Sequence, residues 1–291
     1  MKILKRINLI ILSTLIMFFI LFLSREEQQG GCEISDTITR IVSLSPSITR
    51  DIIDLESEHM LVGVTSYHPP LSRNVEIVGT LIQSNIEKII VLNPDIVLLS
   101  KEDNSVQNTE RLAAIGMKIY TFNRNTHLND VFNNYMELAR IIKREELAKV
   151  KIEKYRSRLV ECRRKSRDIS VAILVSHDPL MAASNLSYIG RMVQDAGGTN
   201  IFKELRIPYP LISIEYLIRL NPEIIVSTMS AADEYLNHIL NDFQDLNPIK
   251  YNNIYSIDPE IICYYTPKNY VESTSILSKI IERASSKRNE K

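Results

Sequence analysis

No Gly-x-Gly-x-x-Gly, phosphate-binding loop, Gly-x-Ser-x-Gly or His-Glu-x-x-His occurs in the 291-residue sequence. The local arrangements that nucleotide-dependent enzymes, serine hydrolases and zinc proteases rely on are therefore missing. Glycine pairs occur only at Gly30-Gly31 and in Ala196-Gly-Gly-Thr199, and the latter ends a helix-like stretch instead of opening one after a strand. Three cysteines, Cys32, Cys162 and Cys263, make neither a disulfide framework nor a zinc cluster, because no Cys-x-x-Cys or Cys/His spacing joins them. A Cys162–Cys263 disulfide and two free thiols are the alternatives, and free thiols are preferred. The five histidines, His59, His68, His127, His177 and His238, lack the close spacing of a bare-metal site. There is also no surplus charge: 35 basic residues balance 35 acidic ones, which removes the counterion release that drives nucleic-acid binding. No catalytic set, resident metal or cofactor is called for, and the chain is expected not to be an enzyme.

What is present begins at the N-terminus. Lys2, Lys5 and Arg6 precede an apolar run over residues 7–23, broken only by Asn8, Ser13 and Thr14. Its length lies between a signal-peptide core of roughly 7–15 residues and a spanning helix of roughly 17–25. Phe22-Leu23-Ser24 offers a poor peptidase site, which favours an uncleaved anchor. Lipidation of Cys32 after Gly30-Gly31, or release of the chain, are the other outcomes. The basic flank puts the bulk of the chain outside the cytoplasm, held to the membrane through residues 1–32.

From Thr37 onward short apolar runs alternate with amphipathic stretches. Strands are predicted over residues 40–44, 61–64, 96–99 and 118–122, and helices over 47–55, 85–92 and 107–115, with Gly116 stopping the last. This alternation predicts an α/β fold with mainly parallel sheets. After His127 the pattern becomes nearly continuous helix, with Val131, Tyr135, Leu138 and Ile142 on one face. A charged stretch over residues 145–166 then reads as a helix of roughly 33 Å, long enough to brace two lobes. Strands follow at 171–175, 224–227 and 254–257, and helices at 188–196, 234–240 and 269–284.

The strongest internal signal is a repeat. Asn85-Ile-Glu-Lys-Ile-Ile-Val-Leu-Asn-Pro-Asp-Ile-Val-Leu-Leu-Ser100 recurs as Ser213-Ile-Glu-Tyr-Leu-Ile-Arg-Leu-Asn-Pro-Glu-Ile-Ile-Val-Ser-Thr228, with seven of sixteen positions identical and no gap. Each copy reads as cap, helix, Asn-Pro turn and buried strand. Two equivalent lobes follow, over residues 37–142 and 168–286, with a connecting helix over 143–167. The repeat places one carboxylate, Glu87 or Glu215, at the start of a helix in each lobe. The helix dipole alone accounts for a glutamate there, so the pair has a structural reading as well as a functional one.

At this level of detail the chain resembles the cobalamin and iron-siderophore periplasmic binding proteins. The likeness rests on Arg40-Ile-Val-Ser-Leu-Ser-Pro-Ser-Ile-Thr49, Leu61-Val-Gly-Val-Thr-Ser-Tyr67, the Glu87 segment with Asn93-Pro-Asp-Ile-Val97, Ala196-Gly-Gly-Thr-Asn-Ile-Phe202 and Ile207-Pro-Tyr-Pro210. It runs in the family's order from about Thr37 to Ala284. It implies two Rossmann-like lobes joined by one rigid helix and a metal chelate (ferric siderophore, haem or cobalamin) held between them. Large hinge closure is not expected. It also implies delivery to an ABC permease, with Glu87 and Glu215 docking into arginine pockets of its two membrane subunits, and a binding protein that is monomeric when free.

Open α/β sheets bind ligands at the carboxyl ends of their strands. That rule selects Pro46 and Ser47 at a helix start, Tyr67 and His68 after the second strand, and, by the resemblance, Tyr209, Tyr264, Tyr265 and Lys268. Cobalamin binders have tryptophan at the positions of Leu81 and Tyr209, and this sequence has no tryptophan at all. His68 and His177, each just after a strand, are candidates for axial ligation of haem. Two further readings share the outline: a membrane-tethered sensor that kept the fold but lost transport, and a chelatase-like two-lobed enzyme. Export argues against the enzyme, and the Glu87/Glu215 pair argues against the sensor.

Overall fold

Short runs of β-branched residues and leucine make the strands, each too brief and too uniformly apolar for an amphipathic helix. In the first lobe they are β1 (Ile41–Ser43), β2 (Leu61–Val64), β3 (Glu76–Ile77), β4 (Ile96–Ser100) and β5 (Ile119–Phe122). All are parallel, in the order β3-β2-β1-β4-β5. The helices α1 (Pro46–Asp54), α2 (Ile86–Leu92) and α3 (Val106–Ala114) supply crossovers between them. Val42, Leu44, Val97 and Leu99 meet Ile89 of α2 and Leu112 of α3 in one buried cluster. Gly116, with φ at 78°, turns the chain out of α3, a left-handed conformation that glycine adopts without a Cβ clash.

This protein is described by a computed structural model that covers residues 37–164, 168–229, 236 and 238–289, without the side chains of 164, 288 and 289. Contacts gather Ile38–Lys291 into one compact unit and assign Met1–Thr37 to another. The N-terminal apolar run and Cys32 lie outside the described residues. Of the helix expected over 234–240, only Leu236 and residues 238–240 are described, and they are helical. No helix among the described residues is long and apolar enough to cross a membrane.

The second lobe contains β6 (Ser170–His177), β7 (Leu180–Ala182), β8 (Thr199–Asn200), β9 (Ile224–Ser227) and β10 (Ile254–Ser256), with α6 (Tyr188–Asp195), α7 (Ile214–Leu220), α8 (Asn247–Lys250) and α9 (Pro259–Ile262). Its sheet runs β10-β9-β6-β7, with β8 also pairing to β6. Alternate residues of β6 and β9 face opposite ways: Val171, Ile173, Ile224 and Val226 join one cluster, and Ala172, Leu174 and Ile225 another. Both faces are therefore covered, as a parallel sheet requires. β7 departs from the expected pattern, folding back antiparallel on β6.

Two long helices tie the lobes. After α4 (Leu128–Ile141) the chain enters α5 (Glu145–Arg164), 20 residues and so about 30 Å long. The last helix, α10 (Pro267–Asn289), begins at residue 267, two residues before its expected start, and packs on α5. Val131 and Phe132 of α4 and Leu159 of α5 belong to the same buried cluster as Tyr270, Leu277 and Ile281 of α10. The core thus continues through the helices from one lobe to the other.

The sequence repeat is a structural repeat. Asn85 caps α2 by accepting from the Lys88 N–H, and Ser213 caps α7 by accepting from the Tyr216 N–H. Both helices have 7 residues. Each ends on an asparagine in the left-handed region, Asn93 at φ 43° and Asn221 at φ 41°, so asparagine makes the turn and proline follows it. The acid after the proline has a fold role in both copies. Asp95 accepts from the Thr39 and Arg40 N–H groups at 2.7 and 2.8 Å beside β1, and Glu223 accepts from the Ser170 N–H at 2.8 Å at the start of β6.

Candidate functional site

The strand order reverses between β1 and β4, and such a switch point opens a crevice beyond the carboxyl ends of the two strands. Ser45 follows β1 and donates its hydroxyl to Asp103, which follows β4. Next to Asp103, Glu102 accepts from the Asn125 N–H at 2.6 Å, and Asn104 donates to the Leu44 carbonyl at 3.1 Å. Burial raises the Asp103 carboxyl above the ordinary aspartate range, against the opposing effect of the Ser45 bond.

The other lobe faces this loop with tyrosines. The Tyr265 N–H donates to the Ser47 hydroxyl at 3.1 Å, a direct bond between lobes. Tyr264 lies under Arg50, whose guanidinium stands 4.0 Å from the ring centroid and also pairs with Glu260. The Tyr264 hydroxyl donates to Glu260 at 3.1 Å. Tyr209 and Tyr265 pack against the same buried cluster. Burial, reinforced by nearby carboxylates, pushes both phenols up, so neither is inclined to ionise. Beneath them Tyr188 is fully buried. Its hydroxyl reaches the carbonyls of Tyr264 at 3.0 Å and Thr266 at 3.3 Å, and its ring centroid lies 4.5 Å from that of Tyr265. That scaffold fixes the segment carrying Tyr264 and Tyr265.

The residues expected from sequence therefore divide. Ser47, Tyr209, Tyr264 and Tyr265 come together between the lobes. Pro46 is buried as the first residue of α1 and presents no N–H, while the Ser47 hydroxyl is committed across the cleft. His68 and Lys268 line an adjoining groove of about 600 Å³, which shares Arg50 and Glu260 with the tyrosine cluster and is also bounded by Asp54, Pro69 and Glu272. The His68 Nδ1 lies 2.7 Å from the Pro69 carbonyl. A carbonyl only accepts, so Nδ1 carries the proton and Nε2 is left as an acceptor. Tyr67 is 59% exposed at the rim beyond β2. His177 is the last residue of β6, paired in register with Leu180. Cys162 and Cys263 are free thiols. Glu87 and Glu215 are exposed near the starts of α2 and α7, and neither forms an ion pair with a described residue. Bonding to its own N–H and to Ser213 lowers the Glu215 carboxyl. No group of three or more His, Cys, Asp or Glu side chains among the described residues is arranged to hold a bare metal ion.

Residues 41–261 match the family described as periplasmic binding protein. The chain belongs to that family. As a periplasmic binding protein it is similar to the vitamin B12-binding protein of Yersinia pestis, 28% identical over 201 residues, which are 67% of this chain and 71% of that one. Among solved structures it resembles the periplasmic vitamin B12 binding protein of Vibrio cholerae, with a TM-score of 0.72, 23% identity, and coverage of 86% of this chain and 98% of that one. It also resembles the periplasmic heme binding protein of the same organism, with a TM-score of 0.76, 17% identity, and coverage of 83% and 98%. These two likenesses concern the fold.

Sequence reasoning missed Glu102, Asp103, Arg50 and Tyr188. The first two stand directly after the strand ending at Ser100, where the rule that selected Tyr67 applies equally. Tyr188 carried no such signal, since only packing brings it under residues 264–266. A groove of about 770 Å³ runs along α5 between Arg156, Arg163 and Arg191 and contains none of the expected residues. Its one carboxylate, Asp195, is engaged by Arg163 and Tyr270.

Proposed function

We propose that this periplasmic binding protein is the extracytoplasmic substrate-binding subunit of an ABC importer, capturing a metal chelate between its lobes and delivering it to the permease. The observation that carries this reading is the unequal use of the repeated acids. Asp95 and Glu223 are consumed by the fold, each pinning the backbone beside a neighbouring strand. Glu87 and Glu215 are spent on nothing comparable and remain exposed. Apolar side chains stand beside them in sequence: Val91 is 84% exposed one turn after Glu87, and Leu211 is 65% exposed shortly before Glu215. An exposed carboxylate repeated at the same point of each lobe suits a pseudo-symmetric partner such as a pair of permease subunits. The relatives named for vitamin B12 and heme support a chelate of macrocycle size as cargo.

Reversing both charges, Glu87→Arg with Glu215→Arg, is expected to abolish uptake, because removing one member of a buried interfacial charge pair costs roughly 2–5 kcal/mol. Ligand affinity of the isolated protein stays near wild type, since neither glutamate lies among the cleft tyrosines. Normal uptake by the double variant would overturn docking through these residues and favour the sensor. Membrane attachment through the apolar run at residues 7–23 belongs to the same reading, because an uncleaved anchor keeps the binding lobes near the permease.

A further inference from the structure

Charge selects the cargo. Resting on the chelate-capture reading, we propose that the cleft takes electrically neutral or cationic chelates, and that Glu102 and Asp103 exclude anionic ones such as dicarboxylate macrocycles and catecholate complexes. Both carboxylates sit at the switch point between β1 and β4, on the loop that faces Tyr209 and Tyr265, and both are half-buried. They are held there by the Asn125 N–H and the Ser45 hydroxyl. Ser45, which holds Asp103, and Ser47, which accepts from the Tyr265 N–H at 3.1 Å, are two residues apart, so the acidic loop lies close to the tyrosine wall.

The arginine that stands over Tyr264 is already neutralised. Arg50 is paired with Glu260 and stacked on Tyr264. An anionic chelate entering against the tyrosines would lose water and meet these carboxylates. A chelate rich in amides or hydroxamates would instead find hydroxyl donors and carboxylate acceptors, and a positive one would gain attraction. Burial, reinforced by these carboxylates, keeps Tyr209 and Tyr265 as phenols, which opposes capture of ferric haem through a phenolate ligand.

The test is equilibrium binding of four probes to the full protein: cyanocobalamin (neutral), ferrioxamine B (cationic), haemin (dicarboxylate) and a ferric tris-catechol complex (trianionic). At least one of the first two should bind about a hundredfold or more tighter than either anion, as like-charge juxtaposition at an interface implies. Glu102→Gln with Asp103→Asn, which keeps the hydrogen-bond acceptors, should raise affinity for the anions at least about tenfold. Equal or tighter binding of an anion by the wild type would overturn the charge rule while leaving chelate capture standing. Wild-type selectivity that persists in a folded variant would overturn the assignment to these two residues. Binding of none of the four would remove the capture reading and this inference with it.

Discussion

Asp51 offers a direct measure of how the cleft floor is held. It lies on α1, is only 7% exposed, and its Oδ1 has no hydrogen-bond partner among the described residues. Burial raises its carboxyl well above the ordinary value of 3.8, and the Asp54 charge adds to the effect. Because the folded-state value lies above the unfolded one, its contribution to stability is full below pH 3.8 and is lost as pH rises through the folded value. At neutral pH the fold therefore either takes up a proton or buries an uncompensated charge. Asp51→Asn removes that liability with little change of shape. A buried polar group lacking a partner costs about 1–3 kcal/mol, more when charged. At about 2–4 °C per kcal/mol for a protein of this size, the variant should melt roughly 5 °C higher than wild type near pH 8. The gain should shrink toward pH 4, where the wild-type carboxyl is neutral. Calorimetric melts at the two pH values decide it. An equal or lower melting temperature at pH 8, or a gain independent of pH, would refute the reasoning.

Tyr67→Ala with Tyr209→Ala should weaken binding of the captured chelate by about 1–3 kcal/mol per aromatic anchor, and titration calorimetry showing unchanged affinity would move the ligand elsewhere. The N-terminal anchor predicts that most of the protein stays with membranes and retains residues upstream of Ser24. A mature N-terminus at Arg25 or a diacylated Cys32, read by intact-mass analysis, would contradict it.

The fold was legible where the physics is local. Runs such as Ile96–Ser100 and Ile224–Ser227 are buried on both faces and announce themselves as parallel strands. The two Asn-Pro turns mark the same unit twice. The strands that escaped, β3, β7 and β8, have two or three residues each, too few to show a period, and exist because longer neighbours offer them an edge. The site was half legible for a related reason. Tyr209, Tyr264 and Tyr265 followed from the family likeness, but the acids facing them did not, because Ser100-Lys-Glu-Asp103 reads in sequence as a solvated turn. Only the closing of the lobes sets it against a segment far along the chain, as in the Ser47–Tyr265 bond, whose partners are 218 positions apart. Asp51 was hidden differently: it falls three residues after Ile48 on the apolar side of α1, where an amphipathic pattern predicts an aliphatic side chain.

The bonds around the connecting helix and those across the cleft differ in strength. Tyr155 and Lys151 of α5 hold Asp54 of α1 at 2.9 and 3.3 Å, while Tyr135 of α4 holds the same carboxylate at 2.5 Å. This node is part-buried and joins the connecting helix to the first lobe, so bending at that end of α5 would strand a carboxylate. By contrast Arg50–Glu260 pairs an arginine 18% exposed with a glutamate 62% exposed. An ion pair so open to water contributes at most about 1 kcal/mol. Ser47–Tyr265 is a single hydrogen bond of similar worth. The ties nearest the ligand are therefore weak and the ties at the helix are strong, an arrangement that lets loops in the cleft part while the lobes keep their relation. The tyrosines themselves do not need to be ordered by ligand, because Tyr188 already fixes residues 264–266 from below. Binding then pays little conformational entropy, and affinity depends on how well the chelate's shape and charge match a wall that is already in place.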